Sequence, residues 1–287
     1  MARDDLAGAM SGRDTNFYYS FLVLPAEKRC AIVAVWDFCR AVDDSVDEAP
    51  ASVAASDPKS GRSQLARWRE ELDACYGHGE PRSPQGSNLA PVIRRFSLSR
   101  EAFDAVIDGV AMDLERSRYQ TFDDLREYCL RVASAVGLLC IEIFGYRDQR
   151  TRRFAQDLGI ALQLTNIVRD VGTDLARGRI YLPLEDLVRH GCTEDDLRAG
   201  VVSERVRGLL AYECSRARDY YDRAERELPR IDRRRMVAAR IMGGIYHAIL
   251  DRIEQSGYEV FSGEIRVPRP RRAVIAATLW ARSLCGL

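Results

Sequence analysis

The chain has 287 residues, 46% hydrophobic and 30% charged, enough to bury the core of one large or two modest globular domains. Its 43 Lys and Arg are balanced by 43 Asp and Glu, so no net field draws it to nucleic acid or to an acidic membrane and any basic character has to be local. The eight cysteines form no CxxC pair and no zinc spacing with histidine; they read as reduced core residues of a cytoplasmic protein, without a disulfide framework.

The start, Met1–Met10, lacks the net-basic start and the apolar run of a signal peptide. An aromatic group, Phe17, Tyr18, Tyr19 and Phe21, precedes a helix expected to begin near Leu24-Pro25-Ala26, where a first turn tolerates proline. Ala31, Val35, Phe38 and Val42 then recur at helical steps. Pro, Gly and Ser mark two surface loops, Ala49–Ser63 and Gly77–Asn88. Helical period returns at Leu158, Leu162, Thr165 and Val168, and again over 205–228. Pro183 and Pro229 sit where helices should stop or restart. The longest apolar stretch, Ala273–Ala281, is too short to span a bilayer. No stretch alternates with period two. The expectation is an all-α chain forming one domain over 1–287, with residues 1–13 and 276–287 peripheral.

Two acidic patterns carry chemistry. Asp43 and Asp47 are four apart, so a helix holds them on one face about 5–6 Å apart at Cβ, where two anions repel. A hard divalent cation reverses that sign, because Mg²⁺ takes oxygen ligands and binds through one or two carboxylates plus substrate phosphates. Arg40, one turn earlier, can fork onto a phosphate. The second pattern, Asn166, Asp170 and Asp174, runs i, i+4, i+8 down an otherwise apolar helix, with Arg169 beside it and Gln163 one turn before. Alone, a DxxxD is usually a solvated face. Three polar groups on a core-facing stripe are harder to dismiss, since each has to be satisfied. Both patterns in one helical chain read as paired Mg²⁺–diphosphate sites. Ionising an allylic diphosphate leaves an anion that metal and arginine stabilise, and a carbocation that an apolar cavity shields from water.

Over residues 14–275 these segments resemble the squalene/phytoene synthase family of head-to-head prenyl transferases. The resemblance rests on Asn16–Phe21 with Leu24-Pro25, Asp43–Asp47, Asp108–Leu114, Tyr128–Ala133 and Asn166–Asp174 followed by Gly178–Pro183. It implies a single-domain isoprenoid-synthase helical bundle with a central hydrophobic channel. Asp43, Asp47, Asn166, Asp170 and Asp174 would hold Mg²⁺, with Mn²⁺ as a substitute. Arg40 and Arg169 would contact diphosphates, Asn16, Gln163, Arg179 and Tyr246 would add substrate contacts, and Tyr128 would steer a cation or a proton.

Within the family, the wording of 16–25, 109–119 and 257–272 is most similar to bacterial presqualene diphosphate synthases of hopanoid pathways. The expected substrate is therefore farnesyl diphosphate, two of which condense to presqualene diphosphate without NADPH. Phytoene, dehydrosqualene or complete squalene synthesis on the same scaffold is the alternative, and a non-catalytic isoprenoid-binding scaffold a distant one. Asn16 replaces the usual serine, Ser134 replaces a glycine beside the channel, and Glu264 stands where some members place a basic residue. Expected partners are the prenyl substrate and a transient membrane surface, not nucleic acid, with the chain as monomer or homodimer. The C-terminal stretch, with Arg269, Arg271 and Arg272, reads first as an ordinary terminal helix and second as an interfacial one. His78, His190 and His247 are scattered and read as non-catalytic, and Asp108 and Asp113 are five apart, off one face.

Overall fold

The computed structural model describes residues 18–47, 58–263 and 265–284, so the expectations for Asn16, Phe17 and Glu264, and for the side chains of Tyr18 and Asp47, lie outside it. A short α1 (Tyr18–Phe21) leads into α2 (Ala26–Asp47), which buries Ile32, Val35, Phe38 and Val42 along one face. Phe38 meets Trp68 and Phe103 edge-on at 5.3 and 5.5 Å, and so packs α2 against α3 (Pro58–Cys75) and α5 (Arg100–Glu115).

Both predicted loops are shorter than their composition suggests. α3 already begins at Pro58 and α4 (Pro84–Phe96) at Pro84, because a first helical turn accepts proline. Ser83 caps α4 by accepting from the Gly86 amide. The Glu71 carboxylate accepts from the Arg82 and Ser83 amides and so pins the remaining loop to α3. Burial pushes that carboxyl up, but the Ser83 and Arg82 hydrogen bonds overrule it and leave it below its ordinary value.

α6 (Phe122–Cys129) runs through a π turn, Leu130–Ser134, into α7 (Ala135–Phe144). Glycines let neighbouring helices close on this turn. A Cβ on Gly109 of α5 would lie 2.5 Å from Val132, and one on Gly159 would lie 2.6 Å from the Ser134 Cα. Ser134, the departure from glycine, donates its hydroxyl to the Gln156 carbonyl at 2.7 Å and locks the turn to the next helix.

That helix, α8 (Arg150–Arg169), is the centre of the molecule and buries residues on most of its faces, from Thr151 and Phe154 to Ile167 and Val168. It does not run through the second acidic pattern unbroken. Asp170 leaves helical geometry (φ −99°, ψ 10°), and α9 (Val171–Ala176) starts afresh. The amides of Asp170 and Asp174 still bond the carbonyls of Asn166 and Asp170, each at 2.8 Å, so the three side chains keep their four-residue stacking across the break.

The short α10 (Leu184–Arg189) and α11 (Glu194–Arg198) lead to α12 (Glu204–Glu227), α13 (Val237–Gln255) and α14 (Arg269–Leu284). Pro183 precedes α10 and Pro229 follows α12, as helix punctuation should. The described residues contain no β-strand, only an isolated bridge between Arg118 and Ile180. Seven described cysteines are free; Cys30 is exposed and so is not a core residue. No described helix is long and apolar enough to cross a membrane.

Candidate active site

A cavity of about 520 Å³ opens among α2, α5, α6, α7, α8 and α13. Its wall is apolar, with Val132, Val136, Ile141, Phe144, Leu158 and Met242 on it. Its outer end is charged: Arg40 and Asp43 of α2, both exposed, share the lining with Asn166, Arg169, Asp170 and Asp174. Asp43 of the first acidic pattern and the whole of the second, more than a hundred positions apart in sequence, therefore face one space.

Local charge at this end is already organised. Arg40 pairs with Asp44 at 3.3 Å, one helical turn on. Arg169 forks onto Asp170, Nε to Oδ1 at 2.8 Å and Nη2 to Oδ2 at 2.5 Å. Burial pulls the Arg169 guanidinium down, but its hydrogen bond to Asp170, with Tyr246 beside it, more than restores the charge. At Asp174 burial first, then the Asp170 charge, lifts the carboxyl to about 7 against the pull of Arg177 and Arg179. Gly178 turns the chain at φ +76°, a conformation open to glycine, and its carbonyl accepts from Arg118 at 2.7 Å. That turn brings both Arg177 and Arg179 onto the cavity lining.

The oxygen donors suit a hard divalent cation. The Asn166 Oδ1 is buried with no hydrogen-bond partner, and burial, with the Asp170 charge beside it, holds Asp174 above its ordinary value against the pull of Arg177 and Arg179. Among the described residues no three His, Cys, Asp or Glu side chains cluster closely enough to cage a metal by themselves. Mg²⁺ asks less than a cage, since it commonly takes one or two carboxylates and completes its shell from phosphate and water.

Further in, three tyrosines surround one carboxylate. Tyr128 donates to Asp113 Oδ2 at 2.9 Å and Tyr181 donates to Oδ1 at 2.8 Å. Their rings stack at 5.3 Å, and Tyr119 stacks on Tyr181 at 5.8 Å. Burial, then the Asp113 charge, raises the Tyr128 and Tyr181 phenols, so both stay neutral hydrogen-bond donors at any physiological pH.

The family model for squalene/phytoene synthases matches residues 10–273. The chain belongs to that family. It is 38% identical to a 15-cis-phytoene synthase of Synechocystis over 93% of this chain and 81% of the relative. A dehydrosqualene synthase crystal structure superposes with a TM-score of 0.86 at 26% identity, covering 98% of this chain and 97% of that one. The squalene synthase HpnC of Alicyclobacillus acidocaldarius gives 0.77 at 32% identity, over 89% and 94%.

For a squalene/phytoene synthase family member the described candidates converge well. Arg40, Asp43, Tyr128, Gln163, Asn166, Arg169, Asp170, Asp174, Arg179 and Tyr246 all line the cavity. Asp108 does not; it pairs with Arg69 at 2.5 Å. None of the three histidines lines it either. Sequence reasoning passed over Arg177 and Tyr181 and gave Asp113 no definite role. Arg177 and Tyr181 flank or occupy the Gly178–Pro183 segment, so a basic-aromatic run just after the second acidic pattern was the available signal.

Proposed function

We propose that this chain is a Mg²⁺-dependent prenyltransferase that condenses two farnesyl diphosphates head to head, releasing diphosphate and giving presqualene diphosphate. One observation carries the reading: Asp43 of the first acidic pattern, all three residues of the second and the arginines Arg40, Arg169, Arg177 and Arg179 border a single cavity whose remaining wall is mostly apolar. Family membership supports the reaction class, and the resemblance of 16–25, 109–119 and 257–272 to presqualene diphosphate synthases supports the product.

Asp43, Asp47, Asn166, Asp170 and Asp174 would hold Mg²⁺, which when bound offsets charge on the diphosphates. The arginines bind and orient those groups, and Gln163 and Tyr246 fill the same end. The apolar wall excludes water from the allylic cation, so the second prenyl double bond, rather than solvent, meets it. Tyr128 presents a neutral phenol to the reacting carbons, and through Asp113 it shares a proton with Tyr181, a route for the proton that ring closure releases.

A second reading is phytoene synthesis from geranylgeranyl diphosphate, favoured by relatives named phytoene synthases at 34–40% identity. Purified protein is given farnesyl or geranylgeranyl diphosphate with Mg²⁺, released diphosphate is measured, and the lipid is identified by mass spectrometry. Presqualene diphosphate from farnesyl diphosphate is the expected result. Turnover of the longer substrate alone replaces that product with phytoene, and no release from either substrate refutes the enzyme.

A further inference from the structure

α14 rests on α13 through Ile275, Ala276 and Leu279, which join Val237, Ile241 and Ile245 in a small apolar cluster of their own. Arg272 on this buried side lies 5.6 Å from the Tyr19 ring of α1. That accounts for one face of the helix. The opposite face carries Ala273, Val274, Ala277, Trp280, Ala281 and Leu284, all exposed. Val274 is 63% exposed, Trp280 47% and Leu284 53%. A helix seated on a protein surface normally turns its polar side to water, and this one turns an apolar strip. Arg269, Arg271 and Arg282 flank the strip, and the helix's 16 residues include no carboxylate, although Arg271 also meets Asp251 of α13 at 3.9 Å. In a chain whose charges sum to zero, this is a local basic border around a greasy face.

We propose that the outward face of α14 docks onto an anionic phospholipid bilayer, the helix lying in the headgroup plane with Val274, Trp280 and Leu284 among the acyl chains. Charge complementarity selects this occupant. Arginines bordering an apolar strip suit lipid phosphates, and an indole beside the strip suits the interface between headgroups and hydrocarbon. A second copy packed face to face would bring two arginine-rich borders together, with no carboxylate on either copy of α14. Crossing the bilayer is ruled out for α14 by its length and composition. The cavity lies one helix away: α13 presents Ala238, Ala239, Met242 and Tyr246 to it from the side facing away from α14. The inference goes beyond the reaction proposed above and is tested without turnover.

The full chain is floated with vesicles of equimolar phosphatidylcholine and phosphatidylglycerol, and with phosphatidylcholine alone. Wild type should bind the anionic vesicles, more weakly as salt rises. The double variant Trp280→Glu/Leu284→Glu should bind about tenfold more weakly or worse, since two apolar anchors are lost. Val274→Glu is the independent second variant, and circular dichroism melts check that each is folded. Diphosphate release from detergent-dispersed substrate should be the same in wild type and variants, so loss of docking is separable from loss of catalysis. Failure of wild type to bind the anionic vesicles overturns the proposal, as does equal binding by both variants. A concentration-dependent dimer that the same substitutions dissociate, without vesicle binding, assigns the face to a second copy and also overturns it.

Discussion

Asp43 illustrates how far a single residue could be read in advance. It projects from the exposed end of α2 into the charged end of the cavity, so its carboxylate is placed for ligands and not for stability. Asp43→Ala should reduce diphosphate release about 10²-fold or more through lost charge stabilisation. Its melting midpoint should stay within the shift of a ±0.5 kcal/mol surface change. Wild-type turnover in this variant would remove Asp43 from the site. Tyr181 lies at the other extreme. It is 68 positions from Asp113, and the two segments meet through the Arg118–Ile180 bridge and backbone bonds such as that from the Ile180 amide to the Ser117 carbonyl. No periodicity links them, so this hydrogen bond was invisible before the fold. Tyr181→Phe keeps the stacked ring and removes one donor from Asp113. Turnover should fall about 10²-fold by loss of the proton relay, with KM little changed; steady-state kinetics decide.

At the level of elements, amphipathic period located α2 and α12 to within a few residues, because burial of one face is what fixes such helices, but marked only the second half of α8, which is buried on most faces. Composition misled at the loops, where Pro58 and Pro84 open helices instead of ending them. The break at Asp170 was also unreadable, since both flanking i+4 amide bonds persist through it. Crossings depend on glycine in a way sequence alone could not weigh. Gly159→Ala would set a methyl against the Ser134 backbone, whose nitrogen and Cα would lie at 2.8 and 2.6 Å. Overpacking costs about 1–3 kcal/mol, more than the gain of up to ~1 kcal/mol from removing a helical glycine, so the urea midpoint should fall.

The contact of α10 with α12 rests on a buried charge cluster. Arg216 donates to Asp186 at 2.8 Å and to Glu213 at 2.7 Å, with its guanidinium 4.1 Å from the Phe122 ring. Glu213, 1% exposed, is raised from 4.5 to about 7, by burial first and by Asp186, against the pull of Arg216. Between those values the folded chain holds a proton that the unfolded chain has released. Glu213 therefore favours folding most below pH 4.5 and loses that contribution as pH rises to about 7. Glu213→Gln should flatten stability against pH across this window; chemical denaturation at several pH values checks it.

For the molecule as a whole, the all-helical class and the convergence of the two acidic patterns were legible, because both follow from four-residue spacing and family wording. The division of labour at the charged end was not, since it depends on which arginine pairs with which acid. As folded, Asp170 is forked by Arg169, the Asn166 oxygen has no hydrogen-bond partner, and Arg177 and Arg179 only partly offset the burial of Asp174. Cation and diphosphate should accordingly stabilise one another. A non-ionisable farnesyl thiodiphosphate and Mg²⁺ together should raise the melting midpoint by more than the sum of each alone. Scanning calorimetry with and without a chelator measures it, and strictly additive shifts would contradict shared ligation.

The π turn at Leu130–Ser134 bears on how this protein can change. Tyr128, Val132, Val136, Cys140 and Phe144 all face the cavity at intervals of four. In a regular α-helix each such interval overshoots a full rotation by about 40°, so four of them would wander by about 160°. The wider turn takes up part of that drift and keeps the row aligned along one wall. Removing a single residue there would swing Tyr128 out of line with everything beyond it. Insertions and deletions in this stretch should therefore be far rarer among functional variants than substitutions, whatever lipid they make.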